Sequence, residues 1–431
     1  MPEFELLDGV AALPRATWDA LAGAAGSPFL EWAWLASLEE SGAARPETGW
    51  APRPLVARQD GRIVAACPLY AKGHSEGEFV FDWGWADAAA RAGIEYYPKL
   101  LAGVPFTPVT GGRLLTEPGA DRPRLLRALA EALRELCLAN ELSGVHVNFC
   151  LDDERAALEA AGFLPRLGFQ YHWTNPGYRD FDDYLDSLRS KRRNQVRRER
   201  RELEAQDVRV ESFAGRDIPE ALLARMFEIY LVTVQQHSWG RQYLNPRFFE
   251  LLAERFRERL CFAVARRGEE LVAGAVNVQK DALYGRYWGA LEPLRHLHFN
   301  VCYYAGIEHC IRAGLARFEP GAGGEYKQLR GFDATPTELP LPRGSAPARG
   351  GRALPRAGAR RGGPHDRVVR GAHRPPPRRR GATRGAPAPP QPTSGSHTWS
   401  PNLTPSQMAV VQRNTRRWPG SPKSCTSIRS S

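Results

Sequence analysis

The sequence predicts an α/β fold made of two similar halves and followed by an unstructured tail. Three observations carry this. One order of elements (helices, an antiparallel meander, a crossover helix and a further strand) occurs near 16–150 and again near 181–320. The 431 residues are enough for two ordinary domains with their own cores. The composition then breaks after Leu339. The division expected is 1–165, 166–339 and a tail over 340–431.

Two amphipathic helices open the first half, near Ala16–Ala24 and Leu30–Glu40. Strands follow at Pro54–Arg58 and Arg62–Tyr70, joined by the turn Gln59-Asp60-Gly61. Gly77–Leu115 is rich in aromatic residues and mixes short apolar runs with Gly and Pro, the pattern of strands and loops lining a cleft. Leu125, Leu126, Leu129, Leu133 and Leu136 form a helical stripe within Asp121–Asn140. Gly144–Cys150 reads as a buried strand, Asp152–Ala161 as a short helix and Gln170–Trp173 as a strand.

In the second half, Phe181–Leu203 reads as one helix and Val208–Phe213 as a strand, with helices at Pro219–Val234 and Pro246–Leu260. The meander is Cys261–Ala265, Leu271–Val278 and Leu283–Ala290, turning at Arg267-Gly268 and Lys280-Asp281. A helix with Asn300 as its N-cap and Gly314 at its end leads into the strand Ala316–Glu319.

The formal charge of +11 is unevenly spread. Residues 340–431 hold 18 Lys and Arg against one acid, Asp366, which leaves 41 basic and 47 acidic side chains in 1–339. The first 339 residues are therefore mildly acidic. The tail holds 16 of the 35 prolines and almost no apolar periodicity, so it cannot offset its chain entropy by burial and is expected to be disordered. Its Arg/Gly-rich tracts suit RNA binding, and they also resemble a GC-rich coding region read in the wrong frame. Seven scattered cysteines lack metal-ligand spacing and are expected as reduced core thiols. No signal-peptide pattern and no long apolar run is found, so a soluble cytoplasmic chain is expected.

Three stretches carry candidate chemistry. In Arg189–Leu203, eight cations fall within 13 residues, including Lys191, Arg193, Arg197 and Arg198. Such a field suits phosphate, although a solvated basic face is the commoner outcome for a charge run. The second stretch is RYWGA, with Arg286, Tyr287 and Trp288, followed by HLHFN. His296 and His298 are open to metal binding, structural hydrogen bonding or a base role, and no third metal ligand has convincing spacing. The third is EPGAGGEYKQLRGF (Glu319–Phe332), whose glycines allow close backbone approach while Lys327 and Arg330 can hold negative charge. It has neither P-loop nor dinucleotide-fold order.

With these stretches, PLYAKGHSEGEFVFDWGWADA, YYPKLLAGVPFTPVTGGRLL, FQYHWTN, YLNPRFF and LHFNVCYYAGIEHCI resemble the bacterial FemAB-like proteins of peptidoglycan biosynthesis, within the GNAT acyltransferase superfamily. The resemblance spans nearly all of 29–332. It implies two tandem GNAT-like modules, each a mixed, largely antiparallel sheet flanked by helices. Across the wider Fem relatives it implies transfer of an aminoacyl group from aminoacyl-tRNA to an amine of a peptidoglycan precursor. Gly323 and Tyr326 stand where the family usually has Gln and His, and Asn300 where it has Glu. The Gly-rich CoA signature of ordinary GNAT enzymes is missing near 292–303.

The resemblance implies an N-acyltransferase with no permanently bound cofactor, using aminoacyl-tRNA or acyl-CoA as co-substrate. Lys327 or Arg286 would stabilise the oxyanion, and His298 and Glu325 would take the amine proton. Tyr287, Trp288, Arg330, Lys191, Arg193, Arg197 and Arg198 would bind substrate. The alternatives are an acetyl-CoA-dependent N-acetyltransferase of a small amine and a catalytically inactive binding module.

Overall fold

The structure is a computed structural model that describes residues 2–80, 82–236, 241–322, 324–338 and 340–342, with only the backbone at 24, 236, 325, 341 and 342. The expected disorder of the tail therefore concerns residues that, from 343 onward, lie outside the described ones.

The first half contains β1 (Glu3–Leu6), α1 (Arg15–Ala22), α2 (Trp32–Glu40), β2 (Trp50–Pro52), β3 (Leu55–Gln59), β4 (Arg62–Cys67) and β5 (Leu69–Lys72). It continues with α3 (Trp83–Arg91), β6 (Lys99–Ala102), β7 (Leu115–Thr116), α4 (Arg122–Ala139), β8 (Val145–Val147), α5 (Asp152–Ala160) and β9 (Phe163–Leu164). The strands form two four-stranded sheets, β1-β3-β4-β7 and β2-β5-β6-β8. The single strand expected over Arg62–Tyr70 is two, because Pro68 has no N–H for the ladder and the chain changes sheet there. The aromatic stretch after Gly77 holds the helix α3, which its Gly and Trp content conceals. The stripe on α4 is buried as expected, and Asp121 caps the helix by accepting from the Arg124 N–H.

The second half contains β10 (Leu167–Thr174), α6 (Phe181–Ser187), α7 (Ser190–Glu204), β11 (Val208–Ala214), α8 (Glu220–Leu223), α9 (Met226–Gln236), α10 (Pro246–Arg255), β12 (Leu260–Arg267), β13 (Glu270–Gln279) and β14 (Ala282–Ala290). The crossover helix runs from α11 (Leu297–Phe299) through a π-turn at Asn300–Tyr304 into α12 (Ala305–Ala313). Three strands follow: β15 (Arg317–Glu319), β16 (Asp333–Glu338) and β17 (Leu341–Pro342). One seven-stranded sheet runs β11-β12-β13-β14-β15-β10-β16.

The helix expected over Phe181–Leu203 is broken where Leu188 and Arg189 turn extended. Asn300 is not an N-cap. The helix starts after His296, which takes a left-handed conformation, and the Asn300 amide bonds back to Glu199 O at 3.1 Å and His296 O at 3.0 Å.

Both halves show the expected mixed, largely antiparallel sheets flanked by helices. In each, an antiparallel series ends in one parallel pair after a crossover helix: β6 with β8, and β14 with β15. The chain then returns to the first half. The Phe149 and Val147 N–H groups donate to Glu338 O and Pro340 O, and β17 pairs with β9, so the described chain is paired with the first half as far as Pro342.

One continuous hydrophobic core joins the two halves. Trp34 of α2 packs edge-on to Phe29 and to Phe248 of α10, and Phe29 packs on Tyr284 of β14. Trp34→Ala is expected to cost ~3–5 kcal/mol, as for other buried aromatic truncations. Urea unfolding should show both halves losing structure in a single earlier transition. Two separated transitions would contradict the shared core.

Candidate active site

Strands β14 and β15 are in parallel register only over Ala282–Tyr284 and Arg317–Glu319. β14 then continues while β15 stops, because Pro320 cannot extend the ladder and Gly321 takes a left-handed φ of 91°. A Cβ on Gly285 would lie 3.1 Å from Pro320 Cα, so glycine is what lets the departing chain cross β14 so closely. The chain then tightens into a 3-10 helix, Glu325–Arg330.

That turn buries Lys327, which is 2% exposed and donates from Nζ to Gly321 O at 2.6 Å. Burial pulls its ammonium down to about 8. His298 of α11 lies between the rings of Trp288 and Tyr303, at 4.8 and 5.2 Å. Burial, then the charges of Arg330 and Lys327, push its imidazole down to about 4, so it is neutral at pH 7 with a lone pair to offer. Beside them is Cys302, in the π-turn, a distortion often found at functional positions in helices.

Arg330 holds this turn in place. It donates to both carboxylate oxygens of Glu199 at 3.0 and 2.9 Å, to Tyr304 OH at 2.8 Å and to Tyr326 O at 3.0 Å, and it stacks 3.6 Å from the Phe299 ring centre. The guanidinium is thus engaged inside the protein. Glu199, its partner, lies within the cation run and is not among the residues that the sequence singles out. The side chain of Glu325 lies outside the described residues.

The remaining candidates stand elsewhere. Arg286 reaches the first half, donating to Phe106 O at 2.5 Å, while Tyr287 packs edge-on to Tyr230 of α9 and Phe249 of α10. On α7, Arg193 pairs with Asp186 at 3.1 Å, Arg197 with Asp182 at 3.6 Å and Arg198 with Glu202 at 3.7 Å, while Lys191 is exposed. A cleft of about 730 Å³ beside this helix is lined by Arg197, Arg200 and Arg201 but also by Asp180, Asp182, Glu204 and Glu308. Half of the expected cation field is therefore answered by acids. His296 and His298 do not share a direction, since His296 Nε2 lies 2.9 Å from Glu202. In the first half, Glu78, Asp82 and His146 converge, and the Lys99 ammonium sits among them, 3.0 Å from Glu78 and 3.3 Å from His146.

A family model described as peptidoglycan biosynthesis/recognition matches residues 9–339. The chain belongs to the FemAB-like family. Solved structures similar to this FemAB-like protein include FemX (12% identity, TM-score 0.48, covering 76% of this chain and 96% of that one). Others are L-PGS from Bacillus licheniformis (11%, 0.43, covering 71% and 90%) and a tandem GNAT protein of the clavulanic acid pathway (14%, 0.41, covering 81% and 100%). The family model alone carries the assignment. No curated protein is significantly similar in sequence. Among the described residues, no helix of the FemAB-like protein is long and apolar enough to cross a membrane.

A buried cation destabilises the fold wherever it stays charged, and this gives a test of the site. Below about pH 8, Lys327 is an ammonium in both the folded and unfolded states, and the folded state carries the burial cost. Lys327→Met is expected to be more stable than the parent at pH 7, by roughly 1–3 kcal/mol. The gap should close as pH rises from about 8 past the ordinary lysine value, as urea unfolding at both ends would reveal. A Met variant that is less stable at pH 7 would contradict a desolvated ammonium.

Proposed function

We propose that this FemAB-like protein is an N-acyltransferase that moves an acyl or aminoacyl group from an activated donor to an amine. The observation that carries the reading is the desolvated Lys327 ammonium, next to a neutral His298 where two parallel strands part. Such a cation, positioned before the reaction and shielded from water, favours the charge that develops on an acyl oxygen under attack. Direct attack by the amine needs no enzyme nucleophile. It needs positioning, an oxyanion partner and a proton acceptor.

In this reading Lys327 holds the oxyanion, and His298, with Glu325, takes the amine proton. Trp288 packs against His298 and orients it. Arg286 and Tyr287, on the other side of β14, line the approach of the second substrate. Lys191, Arg193, Arg197 and Arg198 attract the phosphates of aminoacyl-tRNA or acyl-CoA, with Lys191 the most available. Arg330 positions the Lys327 turn through its bonds to Glu199 and Tyr326 O. The family description supports a peptidoglycan-precursor amine as acceptor, and the missing CoA signature favours aminoacyl-tRNA as donor. Modules spanning 1–165 and 166–339, in the cytoplasm, fit this activity.

The test is a donor screen comparing aminoacyl-tRNAs with acyl-CoAs for protein-dependent loss of the acyl group in the presence of amine acceptors. One donor class should be consumed, and Lys327→Ala should lower kcat by about 10²–10³, the usual effect of removing an oxyanion partner. An unchanged rate in Lys327→Ala would remove the central role, and no turnover with any donor would overturn the enzyme reading.

A further inference from the structure

The last rung before β14 and β15 part carries a row of polar side chains across three strands. Tyr284 of β14 is in register with Glu319 of β15. The antiparallel pairing of Trp173 with Phe318 and of Thr174 with Arg317 puts His172 of β10 opposite Glu319 on the other side. This row faces the first half, where Tyr284 packs on Phe29 and where Gln170, two residues before His172, donates to Pro108 O at 2.8 Å.

Glu319 and His172 are 3% and 7% exposed, and Glu319 Oε2 and His172 Nε2 lie 3.5 Å apart. Both atoms are shut off from solvent, and neither has a hydrogen-bond partner among the described residues. Glu319 Oε1, by contrast, accepts from Arg317 Nε at 2.8 Å. Buried polar atoms in folded proteins are nearly always paired, and these two, 3.5 Å apart, face each other without a hydrogen bond, so both can bond a polar group from outside the chain. Burial raises the Glu319 carboxyl to about 7 and lowers His172 to about 4, so at neutral pH His172 is uncharged and Glu319 is poised to exchange a proton.

We propose that Glu319 and His172 receive the acceptor substrate's primary amine, whose N–H groups bridge Glu319 Oε2 and His172 Nε2. The proposal rests on the acyl-transfer reading and specifies its acceptor side. The donor's acyl group sits by Lys327 on the helix side of the sheet, the amine sits on the side of the first half, and they meet where the strands part. The ammonium gives one proton to the Glu319 carboxylate. The free amine attacks the carbonyl carbon of the ester or thioester donor, and the C–N bond forms as the C–O or C–S bond breaks. The second amine proton passes through His298 to the departing oxygen or sulfur, and Glu319 returns its proton to solvent after product leaves.

The test uses the full chain, with histidine ¹⁵N NMR and n-butylamine as the probe. The His172 signal is assigned by its loss in His172→Gln. The amine should shift it saturably in the parent, and Glu319→Gln should weaken that binding at least tenfold while circular dichroism shows the fold retained. No saturable shift, or equal binding in Glu319→Gln, would overturn the proposal. If Glu319→Gln fails to fold, weaker binding in His172→Gln, read by calorimetry, serves instead, and unchanged binding there overturns it equally. Amine binding is read without turnover, so an absence of acyl transfer in the donor screen counts against the enzyme reading and leaves this result distinct.

Discussion

The parting of β14 and β15 is the constraint on which the second half is organised. Gly285 and Pro320 bring two backbones so close that a Cβ on Gly285 would lie 3.1 Å from Pro320, and Pro320 has no N–H to carry the ladder on. Gly321 O, left without a strand partner, accepts from Lys327 and draws a cation into the gap. The donor and acceptor sides of the proposed reaction are the two faces of this one opening.

Holding a lysine there requires a rigid turn. The buried Arg330–Glu199 pair provides it, although burying two charges is expensive in itself. Tyr304, the Tyr326 carbonyl and the Phe299 face satisfy the rest of the guanidinium, and Gln195 bonds the carboxylate from within α7. The pair therefore fixes the turn in one place more than it adds to stability. The first half has the corresponding parallel pair, β6 with β8, but Lys99 there is answered by Glu78 and Asp82. In the second half, Glu319 Oε2 and His172 Nε2 are buried and face each other without a hydrogen bond. Similar layouts thus leave different chemical opportunities.

Local patterns were legible where the physics is local. The meander strands are present at the expected places with one to three residues added, and Gly314 ends its helix in the left-handed conformation that its position calls for. Lys327 and His298 were legible as candidates because glycines and aromatic residues crowd around them. The misses come from distance and from single backbone atoms. Pro68 and the extended Leu188–Arg189 step break elements whose apolar patterns run on unbroken. The partners of the α7 cations, Asp182 and Asp186, lie on a separate helix, so a charge run counted along the chain overstates the field. Glu199 and Arg330 are 131 residues apart, and Glu319 meets His172 only through the insertion of β10 between β15 and β16. No periodicity announces such meetings.

The central claim, that acyl transfer takes place where β14 and β15 part, is tested most directly by a crystal structure with a stable amide-linked analogue of the donor that turns over. The account predicts the acyl carbonyl oxygen at about 3 Å from Lys327 Nζ, with its carbon in the opening beside Gly285. An analogue whose acyl group lies in the α7 cleft or on the first half, with Lys327 still bonded only to Gly321 O, would contradict it.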